Sequence, residues 1–352
     1  IDVTLSVTSF ATLTPPRPPA TIRPVMVPWG ERRRGVPVFS LVTTTVVLVF
    51  LAGCTPAVNH PPIAVADVRP TEGYAPFLAY LDAGRSHDAD GDPLSYTWTF
   101  DDGGSLDGEA GEHTFAAGAH GITLTVADDR GGVGTASVAV SVAEVPEGYV
   151  MKRFVWLYAD ETQFWDFIAP WSLYRTYRDR LRNSAAEAYA YGDYVEDPLD
   201  DPTIEDYAAL LWERAGHDED AFVECTLSFC QGAIRYEADP IGQEWPLYPL
   251  ETLVDGTGDC EDTTILFVSL LRGRGVPASI GFVDTNDDGL PDHVLALVPV
   301  TPARERALAC PGVVAVGGVR YAVAETATDD ILPLGCAPWD LESSDVYEIW
   351  SF

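Results

Sequence analysis

Between residues 61 and 144, apolar and polar positions alternate with a period of two. The runs Ile63–Val68, Phe77–Ala83, Tyr96–Phe100, Gly121–Asp129 and Thr135–Val142 are separated by clusters of Gly and Asp. This predicts short strands joined by tight turns, the signature of a small β-sandwich. From residue 145 the pattern changes. Phe154, Trp156 and Tyr158, then Phe164, Trp165 and Phe167, alternate like the arms of a hairpin, and residues 171–191 take on helical spacing. A second helix is signalled at Asp201-Pro202, where proline sits near the first helical position, acids fill the first turn, and Tyr207, Leu210 and Leu211 recur at helical spacing. A third covers residues 219–236. Thr263–Arg272 is apolar on nearly every side, which predicts a buried helix closed by Gly273 and Gly275 ahead of Pro277. Ala278–Val283, His293–Val300, Val313–Val316 and Arg320–Glu325 are strand-like. Residues 145–352 are therefore expected to be α+β, helices first and antiparallel strands after.

The first 53 residues follow neither pattern. Residues 1–25 are rich in Pro and Thr and are expected to lie upstream of the true translation start. From Met26, a basic segment (Arg32, Arg33, Arg34) leads through an apolar run to small residues before Cys54, the layout of an export signal. The apolar run is short for a membrane-spanning helix. Leu51-Ala52-Gly53-Cys54 resembles the lipobox of bacterial lipoproteins, which implies lipidation of Cys54 and attachment to a membrane of the cell envelope on its extracytoplasmic side. Residues 54–60 then form a linker, 61–144 the sandwich and 145–352 the second domain.

Charge narrows the partners. With 21 Lys+Arg against 54 Asp+Glu, a formal charge of -33, and Lys152 as the only lysine, the chain is poorly suited to nucleic acid. The glycines around Gly256 and Gly258 make no phosphate loop. Of the six cysteines, five remain if Cys54 is lipidated, so in an oxidising compartment one is left unpaired. Spacing leaves several connectivities open. The one expected here joins Cys225 to Cys230 and Cys310 to Cys336, with Cys260 free.

Cys260 lies between carboxylates, in Asp259-Cys260-Glu261-Asp262, at the first turn of the predicted buried helix. The helix dipole and free N–H groups favour a thiolate there and can bind an oxyanion, whereas the acids push the thiol pKa up. An imidazolium partner would settle that conflict. His217 sits in a polar junction between helices, while His293 opens an apolar strand that would hold its ring at the strand end. Glu325, at the end of the next strand among apolar residues, is a carboxylate that needs a partner.

Two stretches resemble known families. Asp88 to Gly103 (DADGDPLSYTWTFDDG) and residues 118–132 (GAHGITLTVADDRGG) resemble the polycystic-kidney-disease (PKD) domain, which implies a seven-stranded immunoglobulin-like sandwich used as an extracellular spacer or adhesion module. The sequence departs from that pattern at Asp101-Asp102-Gly103, where the family usually places glycine first. Residues 245–253 (WPLYPLETL), the block Gly256–Asp262 (GTGDCED) and Asp292-His293-Val294 resemble the transglutaminase-like superfamily, in its prokaryotic branch related to papain-like cysteine proteases, over residues 150 to 340. The resemblance implies Cys260 as nucleophile, His293 as base and, in place of the family's usual Asp, Glu325 as orienting acid. Gln231 is a candidate oxyanion donor.

The expected activity is thiol-mediated acyl transfer on an amide of a protein or peptide, with hydrolysis preferred and no cofactor required for the chemistry. The alternative is an inactive surface protein that uses both folds as a binding scaffold. One loop adds a cation: Asp284, Asn286, Asp288, Leu290 and Asp292 occupy positions 1, 3, 5, 7 and 9 of an EF-hand-type calcium loop with Gly289 at position 6. Position 12 is Leu295, so the bidentate glutamate is missing.

Overall fold

The computed structural model describes residues 58–352 apart from 181, 183–190, 241–244, 287, 329, 340 and 352. The export signal, Cys54 and most of the expected helical run beyond residue 180 lie outside the described residues.

The alternating segment forms eight strands: β1 (Asp67–Arg69), β2 (Glu72–Tyr74), β3 (Phe77–Asp82), β4 (Leu94–Phe100), β5 (Ser105–Asp107), β6 (Ala110–Phe115), β7 (Gly118–Asp128) and β8 (Val133–Ala143). They make a three-stranded sheet, β1-β3-β6, and a five-stranded sheet, β2-β8-β7-β4-β5, in which only β2 and β8 pair in parallel. Period-two alternation turns Phe77, Trp98, Ile122 and Leu124 into the space between the sheets. Trp98 is fully buried, and its indole N–H donates to the Gly108 carbonyl at 3.1 Å, which removes the polar penalty of placing it there.

The second region opens on the hairpin β9 (Tyr149–Tyr158) and β10 (Glu161–Pro170), paired from Glu161↔Tyr158 to Pro170↔Tyr149. Its two-residue turn, Ala159-Asp160, has φ of 51° and 62°, the left-handed pair that matches strand twist. There follow α1 (Trp171–Arg178), α2 (Gly192–Val195), α3 (Asp201–Arg214), α4 (Glu219–Ala233), β11 (Arg235–Tyr236), α5 (Pro249–Asp255), β12 (Thr257–Gly258), α6 (Cys260–Arg272), β13 (Ser279–Val283), β14 (His293–Pro299), α7 (Pro302–Ala307), β15 (Val313–Val316), β16 (Val319–Ala324) and β17 (Val346–Ser351). The last five strands form one antiparallel sheet, β15-β16-β14-β13-β17. Edge strand β17 lies outside the strands expected from the sequence; its residues VYEIWS carry no clean alternation and find their place by pairing with β13.

The helix α6 is the hub. Ile265, Leu266, Phe267 and Leu270 are fully buried, and it packs on β14 and on α4. On α4 the structure corrects one expectation. Cys225 and Cys230 are separate buried thiols rather than a disulfide, because five residues along a helix turn two side chains about 140° apart. Each faces apolar core and behaves as a small hydrophobe. Cys310 and Cys336 are joined as a disulfide.

The two regions meet at an ion pair. Arg153 on β9 donates to both carboxylate oxygens of Asp166 on β10 and to the carbonyls of Tyr74 and Pro76, while Asp166 also accepts the Tyr74 N–H at 2.9 Å. Asp166→Ala is expected to leave the guanidinium half-satisfied and to lower stability by about 1–3 kcal/mol, read as a shifted urea midpoint. An unchanged midpoint would show that the junction contributes nothing.

Candidate active site

Three elements converge on Cys260. The sulfur is carried on the first residue of α6, whose start is set by a reciprocal cap. Asp259 is the N-cap, and Asp262 three residues on accepts the Asp259 N–H at 3.3 Å and, through its other oxygen, the Leu247 N–H at 2.6 Å. Burial and the neighbouring Asp259 hold the Asp262 carboxyl well above the usual range. Two of the three acids around the thiol therefore build the helix end. Glu261 differs: it lies beside the sulfur, which donates to its Oε2 at 3.4 Å.

The first turn of α6 is stitched to the sheet by hydroxyls. Thr326, just past β16, meets Thr263 at 2.9 Å and Thr264 at 3.0 Å, and Thr263 also donates to the Asp259 carbonyl at 2.8 Å. From β14, the Val294 carbonyl accepts the Thr264 hydroxyl of α6 at 3.5 Å, and Val294 and His293 line the same cleft as Cys260.

His293 and Glu325 form the third part. Glu325 is fully buried; one oxygen accepts the Ala327 N–H at 2.8 Å and the other lies 2.8 Å from His293 Nε2. With Nε2–H donated to the carboxylate, Nδ1 is the ring nitrogen left to accept a proton. Trp339 packs edge-on against the imidazole at 5.0 Å between centroids and 83° between planes. It was absent from the sequence reading, since a lone Trp in a polar coil carries no periodic signal. His217 lies elsewhere, exposed and paired with Glu213 within 3.1 Å.

Gln231 takes a different part from the one expected. Its Nε2 donates to the carbonyls of Glu325, at 2.6 Å, and Leu332, at 3.1 Å, and its Oε1 accepts the Leu332 N–H at 3.1 Å. The amide ties Glu325 and Leu332 to α4, so both of its ends are occupied and it is not free to be the oxyanion donor expected from the sequence.

The loop 284–292 is wound on itself. Asp284 accepts the N–H groups of Asn286, Asp288 and Gly289; Asn286 accepts the Asp288 N–H and donates to Asp292 at 2.7 Å; Asp292 also accepts Thr285. Leu290 is exposed, and Leu295 at the twelfth position is buried, so no carboxylate enters from there.

Cys260 and His293 line one cleft of about 430 Å³ between the start of α6, β14 and β17. Burial, then the Glu261 carboxylate, holds the thiol well above its ordinary pKa, and the Val294 N–H opposes this only in part. The balance left open by the sequence thus falls on the side of a neutral resting thiol.

The PKD domain family profile matches residues 59–142. Those residues are a PKD domain. Its solved relatives include the PKD1 domain of Vibrio anguillarum Epp, at 29% identity over 25% of this chain and 99% of that one with a TM-score of 0.22. The PKD1 domain of the Vibrio cholerae metalloprotease PrtV is 25% identical over 24% of this chain and 98% of that one, with a TM-score of 0.21. A candidate protease from Parabacteroides distasonis ATCC 8503 aligns over 81% of this chain and 71% of that one at 11% identity, but its TM-score of 0.29 gives that likeness no weight. No curated protein matches the chain. Among the described residues, no helix is long and apolar enough to cross a membrane.

A thiol whose pKa is raised stays protonated, and slow to alkylate, until pH climbs toward the folded value. Iodoacetamide labelling of Cys260 is therefore expected to be slower at pH 7 than that of an ordinary thiol with a pKa of about 8.5, to rise steeply above pH 9, and to move to lower pH in Glu261→Gln. A profile already complete below pH 8, followed by mass spectrometry, would reveal a preformed thiolate instead.

Proposed function

We propose that residues 145–352 are a transglutaminase-like domain of the papain-related type, and that Cys260, His293 and Glu325 perform thiol-mediated acyl transfer on an amide, with water as the acceptor. The observation that carries this reading is the His293–Glu325 pair at 2.8 Å, with His293 lining the same cleft as Cys260. Glu325 fixes the tautomer and orientation of the ring, and Nδ1 takes the thiol proton as sulfur attacks the carbonyl. The N–H groups of the first turn of α6 and the positive end of its dipole stabilise the oxyanion. His293 then returns the proton to the departing amine, and water, activated by the same nitrogen, releases the acid from the thioester. Because the resting thiol is neutral, proton transfer accompanies attack.

In this reading the chain is exported and lipid-anchored at Cys54, with the PKD domain as a spacer that holds the second domain away from the membrane. The Cys310–Cys336 disulfide supports an oxidising compartment. The raised thiol pKa favours a second reading, a binding scaffold without turnover.

Replacing Cys260 by Ala separates the two: peptide hydrolysis by the protein is expected to vanish in Cys260→Ala and His293→Ala and to fall about a thousand-fold or more in Glu325→Gln, whereas scaffold binding would survive all three. Hydrolysis that persists in Cys260→Ala ends the acyl-transfer reading.

For the 284–292 loop we propose a bound calcium ion held by Asp284, Asn286, Asp288, Asp292 and the Leu290 carbonyl, on the spacing of these oxygen-bearing residues around Gly289. Calcium is then expected to raise the melting temperature by several degrees and EGTA to reverse it. Identical melts in both would remove the ion.

A further inference from the structure

We propose that the Cys310–Cys336 disulfide is a redox latch on the candidate active site: joined, it holds Trp339 over His293; opened by a dithiol, it lets that cover lift and leaves the site at rest. The inference gives the acyl-transfer reading a regulation and rests on it only for what the site does. Between Ala324, the end of β16, and Val346, the start of β17, no regular element lies among the described residues. The segment that carries Glu325, Leu332 and Trp339 therefore depends on individual fastenings. Its first half is held by side chains of α4: Gln231 takes Leu332 and the Glu325 carbonyl, and Glu224 accepts the Leu334 N–H at 3.2 Å. Its second half is held at one crossing, where the Gly335 N–H donates to the Val323 carbonyl at 2.7 Å and the Gly335 carbonyl accepts the Gly312 N–H at 2.9 Å. A Cβ on Gly312 would stand 2.3 Å from the Gly335 carbonyl oxygen, so the two backbones touch with no room for a side chain.

The disulfide closes this crossing covalently, joining residues 26 apart in a loop that contains β15, β16 and Glu325 itself. Trp339 follows three residues after Cys336. Its ring meets His293 edge-on, but its buried indole N–H has no hydrogen-bond partner among the described residues, and Ala337 and Leu341 on either side are only half-buried. A cover anchored by packing alone belongs to the part of a fold that opens first when a neighbouring tie is released. Cys310 is half-buried, which leaves an attacking thiolate a route to the bond. The dithiol passes two electrons and two protons to the S–S bond, leaving thiols at Cys310 and Cys336 and its own cyclic disulfide. With the crossing loosened, Trp339 withdraws and water reaches the His293–Glu325 hydrogen bond, which orients the ring less firmly once it is wet. A chain made in a reducing compartment then stays latent and becomes competent on oxidation.

The test follows diethyl pyrocarbonate labelling of His293 by mass spectrometry in the full chain, before and after treatment with dithiothreitol and desalting. Labelling is expected to rise about fivefold or more on reduction, and as much without reductant in the double variant Cys310→Ala, Cys336→Ala, while Cys225 and Cys230 stay closed to iodoacetamide. Oxidised glutathione should restore the slow rate in the parent protein and not in the double variant. In Trp339→Ala the fast rate is expected in both redox states. Three results overturn the latch: a bond that dithiothreitol does not open in the folded protein, His293 labelling unchanged by reduction, or a redox effect that persists in Trp339→Ala. Labelling of Cys225 and Cys230 that rises together with His293 also overturns it, because the bond would then hold the whole region and not a cover. The labelling does not depend on turnover: a redox response with hydrolysis that survives Cys260→Ala would remove the acyl-transfer reading alone, and thiol-dependent hydrolysis that ignores the redox state would remove the latch alone.

Discussion

A fully buried carboxylate is tolerated only where donors meet it, and Glu325 is the point on which the second region is organised. One of its oxygens takes a local N–H and the other takes His293, so the acid both closes the end of β16 and fixes the ring on neighbouring β14. Its own backbone is held from the far side by Gln231 of α4, and the next residue, Thr326, ties the same corner to α6. Helix, strand and coil thus share one polar knot inside an otherwise apolar core. Removing the carboxylate would strand the Ala327 N–H and the His293 ring together, which is why such a network behaves as a unit.

The caps around Cys260 show how local chemistry and charge can serve different ends. Asp259 and Asp262 are helix-end residues, and the acidic run looks less peculiar once their hydrogen bonds are traced. Glu261 has no such duty in the cap and sits against the sulfur. The helix dipole favours an anion at this end, but a few N–H groups are outweighed by desolvation plus two carboxylates in a poorly hydrated cleft.

The sandwich and the first arm of the hairpin were readable because apolar residues there follow a period that burial then repeats: Ile122, Leu124 and Val126 point in, and the buried Phe154 and Trp156 pair across to Trp165 and Gln163. The thiol, the histidine and the buried acid were legible as separate oddities, each breaking a local rule. The pairing of His293 with Glu325 followed only from the family resemblance, because it depends on the antiparallel order β16-β14-β13 and on side chains that carry no pattern, such as Trp339 and the three threonines. Cys225 and Cys230 are near neighbours in sequence, but the helix turns them to different sides, which decides against the expected disulfide. Gln231 was expected as an oxyanion donor, but its partners lie about a hundred residues away in sequence, beyond the reach of any local argument.

The two thiols of α4 have a consequence for the life of the chain after folding. They are inert only while the core excludes oxidants and other sulfur atoms. Once α4 opens, Cys225 and Cys230 gain access to the Cys310–Cys336 bond and exchange with it, and non-native pairings then compete with return to the starting state. Where no reductant restores them, each opening event carries a risk of permanent loss, so the working lifetime of the protein is set by how rarely its core opens rather than by its equilibrium stability.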